Sequence, residues 1–249
     1  MPVGTGFSFM TSLAPEVLFS VGKFPITNTV IDTLLVDAIV LSIVVYIQKK
    51  AAIVPTFFQT LIELAMEQFY SLTESTAGKY TMQIFPYVMT FFLFILIANY
   101  SELLPIITSV GVTRDGQFIP LVRSASSDLN LTLGLALISV ITTHAMGIRA
   151  TGLKAYLHRF FSAKPLELYS GLLELISEFT KIISFSFRLF GNIFVGGIML
   201  ASITAFFAYV LPIAVLFDEL FVGFIQAAIF ALLTMAFMSI FTTSHSLTE

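Results

Sequence analysis

The stretch Ser184-Phe185-Ser186-Phe187-Arg188-Leu189-Phe190-Gly191-Asn192 lies inside an almost uninterrupted apolar run from Ile182 to Phe217, whose one cation is Arg188. A guanidinium keeps its charge at every accessible pH and costs on the order of several kcal/mol at membrane depth, so it faces a partner or a water-filled path and marks ion-handling machinery. Around it, helical apolar character runs from Glu167 to about Phe207 and again from Pro212 to about Ser244. At 1.5 Å per residue these two helices reach roughly 60 and 50 Å, beyond a hydrocarbon core of about 30 Å, so they tilt, bend or lie partly in plane. Pro212 allows the reversal between them, and residues 165–249 read as a long tilted hairpin.

The rest of the chain agrees with a membrane. Of 249 residues, 57% are hydrophobic, 27 are Phe and only 11% are charged, and the mean hydropathy is +0.96. A soluble chain of this size has more polar surface to cover itself. The absence of Cys removes disulfides and thiolate metal or redox sites. Residues 1–28 carry three Pro and no basic segment followed by an apolar one, unlike a cleaved signal peptide. No repeat or low-complexity linker divides the sequence, which reads as a single membrane domain over 1–249.

Crossing the hydrocarbon takes about 20 helical residues, and 29–47, 83–104 and 129–148 are of that size. Residues 55–72 differ, beginning with Pro55 and setting Phe58, Leu61, Ile62, Ala65, Phe69 and Leu72 at helical spacing, with Gln59, Glu63, Glu67 and Gln68 on much of the remaining surface. That pattern fits a helix on the membrane face, a helix against a partner, or one that covers its neighbours. Lys49, Lys50, Lys79, Arg149, Lys154, Arg159 and Lys164 fall in loops on one side, and only Lys23, Arg114 and Arg123 on the other. Positive charge marks the inside, so residues 1–28 lie outside, and the 149–165 loop and the C-terminus inside. The expectation is an all-α integral membrane protein with five membrane-embedded helices and one interfacial amphipathic helix.

Polar residues of the hairpin share a face. With Glu174 at zero and 100° per residue, Glu178 falls near about +40°, Lys181 near about −20°, Arg188 near about −40° and Asn192 near about zero. On the following helix Glu219 and Gln226 share a face, with Gly223 between them. Such a stripe in lipid is expensive unless it lines water or another protein. A purely structural alternative pairs Glu178 with Lys181 and Arg188 with Glu219. The series Glu174, Glu178, Lys181, Ser184, ending in a lone arginine, reads instead as an aqueous vestibule closed by an electrostatic barrier.

Four runs, in order, resemble subunit a of the F-type ATP synthase: Asn99-Tyr100-Ser101-Glu102-Leu103-Leu104-Pro105, Ser127-Asp128-Leu129-Asn130-Leu131-Thr132, Phe187-Arg188-Leu189-Phe190-Gly191-Asn192 and Gln226-Ala227-Ala228-Ile229-Phe230. Phe24-Pro25-Ile26-Thr27-Asn28-Thr29 is similar to the bacterial form. The resemblance implies the stator half of a rotary ion motor. Its long hairpin packs on a ring of c subunits, and two offset half-channels serve a carboxyl group on each. Arg188 is then the barrier between the half-channels, Asn192 and Gln226 its polar neighbours. Ser184 and Glu174 belong to the inner half-channel, with Glu178 and Lys181 on the same face; Glu219, helped by Asn99, Glu102 and Asp128, belongs to the outer one. Many bacterial members carry Glu where this chain has Gly197 and His where it has Glu219, so a carboxylate has moved to the facing helix. Gly191, Gly196 and Gly197 either let the ring approach or serve close helix packing.

The implied partners are the c-ring, peripheral-stalk b subunits, the F1 sector indirectly and the lipid bilayer. The implied location is a bacterial inner (plasma) membrane rather than an organellar one, with protons as the default coupling ion. Asp32 and Asp37 face either the outer channel or a buried partner; His144 reads as a satisfied histidine of the core or interface, and His158 and His245 as solvated. No cluster has metal-ligand spacing, no cofactor is implied, no phosphate-binding loop suggests ATP chemistry in this chain, and no basic aromatic surface suggests nucleic acid. A stand-alone secondary transporter and a non-catalytic scaffold are the competing readings; the transporter lacks the expected inverted repeat.

Overall fold

A computed structural model describes residues 15–22, 24–50, 52–103, 110–114, 117–160, 165–207 and 210–243. Its helices are α1 (Asn28–Lys50), α2 (Phe57–Ala77), α3 (Thr81–Leu103), α4 (Leu129–Thr151), α5 (Leu153–Phe160), α6 (Pro165–Phe206) and α7 (Val210–Thr243). Among the described residues, five helical stretches, Asn28–Lys50, Phe57–Ser101, Leu129–Thr151, Leu168–Thr204 and Val210–Thr242, are long and apolar enough to cross a membrane. The all-α membrane architecture stands. Two short antiparallel hairpins, β1 (Val17–Val21) with β2 (Phe24–Thr27) and β3 (Gly111–Arg114) with β4 (Gln117–Pro120), are additional to the sequence expectation. They pair backbone groups in loop segments too short for a helix.

Helix boundaries follow local chemistry. Thr27 Oγ1 accepts from the Val30 amide at 3.4 Å to open α1, which closes on Lys49 and Lys50, favourable at a negative helix end. Thr56 caps α2 by accepting from the Gln59 amide at 3.4 Å, so the helix starts after Pro55 rather than at it. Gly78, at φ +51°, ends α2 with its amide bonded to the Glu74 carbonyl. Asp128 Oδ1 accepts from the Asn130 amide at 2.9 Å to open α4.

The long helices have 42 residues for α6 and 34 for α7, about 63 and 51 Å at 1.5 Å per residue. α6 ends at Phe206 and α7 begins at Val210, so Pro212 belongs to the first turn of α7 and does not make the reversal. There its missing amide costs no helical hydrogen bond.

The amphipathic helix also differs in detail. α2 buries Gln59, Ile62, Phe69, Thr73 and Ala77, while Phe58, Leu61 and Leu72 of the expected stripe are exposed. Gln59 turns inward because its amide group bonds Ala52 O at 3.1 Å and Glu63 Oε1 at 2.7 Å. Apolar residues on an outer surface are unremarkable where the solvent is hydrocarbon.

Contacts divide the chain into two compact units. One comprises Met1–Lys50, Leu93–Thr132 and Phe187–Ala228; the other comprises Ala51–Phe92, Leu133–Ser186 and Ile229–Glu249. In the first, fully buried Val36, Ala98 and Ala125 form a core with Val40, Phe94, Ile97 and Leu131 against it. Asp32, 0% exposed, ties that core together by accepting from Ser101 Oγ at 2.9 Å and the Ala125 amide at 2.7 Å. The second is packed by rings: Phe69 on Phe92 at 4.5 Å, Phe185 on Phe230 at 5.0 Å and Phe91 on Phe230 at 5.4 Å. Ser139 and Thr234 join α4 to α7 at 2.8 Å.

Candidate functional site

In the first unit, Asn192 Nδ2 on α6 donates to Gln226 Oε1 on α7 at 2.8 Å. Amides suit this position because each carries donor and acceptor without charge. One turn before Asn192 on the same helix stands Arg188, exposed beside Phe187, which is also exposed. On α7, Glu219 lies flat against Gly196: a Cβ there would come within 2.8 Å of Glu219 Oε1. Gly196 therefore admits the chain's own carboxyl group, a closer account of that glycine than approach by a partner. Glu219 Oε1 is buried with no hydrogen-bond partner among the described residues.

Asn99 on α3 completes the cluster by donating from Nδ2 to the Gly223 carbonyl at 3.0 Å, and Tyr100 donates to the Leu220 carbonyl at 3.2 Å. Gly223 admits them, because a Cβ would meet Asn99 Cβ at 3.3 Å and the Tyr100 ring at 3.5 Å. Asn99, Asn192, Gly196 and Glu219, with Leu103, Ile193 and Val222, line one cleft. Four of the sequence-nominated residues, Asn99, Asn192, Glu219 and Gln226, thus meet here.

Others are placed differently. Asp128 caps α4 and accepts from Thr29 Oγ1 at 3.0 Å, which gives it a structural task outside the cleft lining. Glu102 belongs to α3, with its side chain outside the described residues. Asp37 is exposed on α1, whereas Asp32 is buried against Ser101 and Ala125.

In the second unit the stripe of α6 carries charge. Glu178 Oε1 accepts from Lys181 Nζ at 2.5 Å, the expected i,i+3 pair. Lys181 also stands over the Phe237 ring at 3.9 Å and the Phe241 ring at 5.4 Å, both from α7. Glu174 and Ser184, on either side of the pair along α6, are half-buried. His144 on α4 joins them, with Nε2 3.6 Å from Glu178 Oε2 and Nδ1 hydrogen-bonded to the Tyr156 hydroxyl of α5.

A single histidine in an apolar helix reads as satisfied packing, and no motif singles out Tyr156. The one local signal was Gly147, three residues on: a Cβ there would meet Tyr156 Cε2 at 3.0 Å and Phe241 Cβ at 3.2 Å. His144 and Tyr156 come together because Gly152, at φ +83°, ends α4 and turns the chain into α5.

The sequence model of the ATP synthase A chain family matches residues 30–239, and so includes both polar clusters. The chain belongs to the ATP synthase A chain family. Members similar to it include ATP synthase subunit a of Moorella thermoacetica, 31% identical over 236 residues, covering 95% of this chain and 100% of that protein. The subunit a of Mycobacterium marinum is 38% identical over 228 residues, covering 86% of each chain. The subunit named as sodium ion specific, from Propionigenium modestum, is 30% identical over 226 residues, covering 90% of this chain and 77% of that one. Family membership and five apolar helical stretches make this a multi-pass membrane subunit of the multi-subunit ATP synthase.

Proposed function

We propose that the α6–α7 hairpin is the stator face on which a ring of c subunits turns, with Arg188 the barrier between two proton half-channels. The observation that carries this reading is the placing of Arg188: a permanent cation, exposed beside exposed Phe187 in a largely apolar run, one turn from the Asn192–Gln226 bond. Phe187 beside it is 57% exposed, a surface suited to lipid or an apolar partner. A ring carboxylate that passes this surface meets a permanent cation. Opposite charge favours the ionised form, so each ring carboxyl releases its proton as it nears Arg188. The fixed positive charge also repels a proton that would pass directly between the half-channels.

Glu219, with Asn99 and Glu102, serves the outer half-channel, and Asp128 holds the start of α4 for it. Glu174, Glu178, Lys181 and Ser184 serve the inner one, on the side marked by the Lys- and Arg-rich loops. Peripheral-stalk b subunits hold the chain still, nucleotide chemistry takes place in the F1 sector, and the host membrane is the bacterial inner membrane.

ATP-driven acidification of inverted membrane vesicles carrying Arg188→Gln, with ATP hydrolysis and assembly measured alongside, tests the reading. Loss of acidification in an assembled complex is expected. Undiminished pumping leaves a scaffold role, and transport by the purified chain alone leaves a secondary transporter. ATP-driven Na⁺ uptake, with acidification suppressed by added Na⁺, would replace the proton with sodium, the ion named for the sodium-specific relative.

A further inference from the structure

We infer that His144, oriented by Tyr156, is a proton-relay residue between Glu178 and the inner aqueous phase; this rests on the reading of the α6 stripe as the inner half-channel. His144 occupies the apolar α4, yet its neighbours from the other packed helices converge as a polar chain. α5 supplies Tyr156, bonded to Nδ1. α6 supplies Glu178, whose Oε2 stands 3.6 Å from Nε2, and through it Lys181. α7 supplies Phe241, its ring edge-on to the imidazole with centroids 5.4 Å apart. Among the described residues, His144 thus faces a phenol, a carboxylate paired with an ammonium, and an apolar ring.

Three features distinguish this from a histidine that only fastens helices. The Glu178–His144 separation is longer than a hydrogen bond, and Glu178 Oε2 is buried with no hydrogen-bond partner among the described residues. The pair is therefore open on its facing oxygen, not locked. His144 is also the most solvent-accessible of the three charged or chargeable groups, its side chain 27% exposed against 10% for Glu178 and 17% for Lys181. Lastly, imidazole is the side chain whose ordinary titration lies at physiological pH, which suits repeated proton gain and loss.

The transfer balances. With Nδ1–H donated to the Tyr156 oxygen, the Nε2 lone pair takes the proton of a protonated Glu178, leaving a carboxylate beside Lys181. The imidazolium then passes its Nδ1 proton to the Tyr156 oxygen while that hydroxyl gives its own proton to water. One proton enters the chain and one leaves it; tautomer exchange and rotation of the hydroxyl restore the start.

Inverted vesicles expose the inner face to the medium, so its pH is set directly. We would measure ATP-driven acidification per assembled complex from pH 6 to 8.5 for the unmodified complex, His144→Gln, Tyr156→Phe and Arg188→Gln. His144→Gln is expected to slow pumping by about tenfold and to remove the dependence on medium pH in the imidazole range. An assembled His144→Gln complex with the unmodified rate, or one slowed equally at every pH, overturns the relay. Should His144→Gln fail to assemble, Tyr156→Phe decides, since it keeps the ring: a displaced inflection supports the relay and an unmoved one overturns it. If Arg188→Gln stops pumping while His144→Gln does not alter it, this inference alone falls; if Arg188→Gln pumps normally, the stator reading falls with it.

Discussion

The two polar clusters of the hairpin solve the same problem in opposite ways. In the unit that holds Glu219, polarity is carried by amides and carboxyls with open capacity. Of the seven buried side-chain atoms without a hydrogen-bond partner among the described residues, six belong to it: Glu16 Oε2, Asn28 Nδ2, Asp32 Oδ1, Asn99 Oδ1, Ser126 Oγ and Glu219 Oε1. In the unit that holds Glu178, charge is met by charge, Lys181 on Oε1 and His144 facing Oε2, with Phe237 beneath the ammonium. Glu178 Oε2 is its one such open atom. Buried polar groups left open carry a standing cost, and persist where mobile ions or water are to be exchanged. A paired cluster instead holds fixed charge in place at the cost of desolvating both ions. One unit thus holds its polarity in neutral or singly charged groups, the other in an ion pair.

The contrast can be broken experimentally. The largest effect is expected at Arg188, the proposed barrier: Arg188→Gln should abolish acidification while leaving assembly intact, as judged by recovery of the whole complex. Next is Glu178→Gln, which leaves Lys181 without its carboxylate over the Phe237 ring and should destabilise the subunit by about 3 kcal/mol. Replacing Lys181 with Met in that background should recover part of the loss in a detergent unfolding assay; no recovery would deny that the pair is a unit. The amide bridge predicts a smaller penalty. Asn192→Leu orphans Gln226, only 3% exposed, at about 1–2 kcal/mol, and Asn192→Leu with Gln226→Leu should cost less than the sum of the two singles. Additive losses would show that the two amides do not act together. Least is the cap: Asp128→Ala should cost about 1 kcal/mol in the same assay while pumping per assembled complex persists. A collapse of pumping without loss of stability would return Asp128 to the outer proton path.

Much of this was legible before any fold was known, and the misses have physical causes. The spans were readable because hydrocarbon imposes length and composition on each helix separately. The shared face of Glu174, Glu178, Lys181, Arg188 and Asn192 was readable because a helix repeats every 3.6 residues. Which residues of α2 face inward was not readable, because an amphipathic stripe does not say which side faces the protein when the surroundings are themselves apolar. Asp128 fits the channel by type and position, and a carboxylate just before an apolar helix also fits a cap; the Asn130 and Thr29 bonds show the second of these tasks. His144 was set aside because a single histidine in an apolar helix carries no partner in its own sequence.

The sequence by itself determined the all-α membrane architecture, the two long helices and the common face of the polar residues on the first of them, since all follow from composition and helical period. Only the tertiary structure decided who meets whom: Asn192 with Gln226, Glu219 with Gly196, Asn99 with Gly223, His144 with Tyr156 and Glu178. Those pairings depend on the axial offset and rotation of one packed helix against another, set by side-chain volume at glycines such as Gly147, Gly196 and Gly223. No local period encodes that offset.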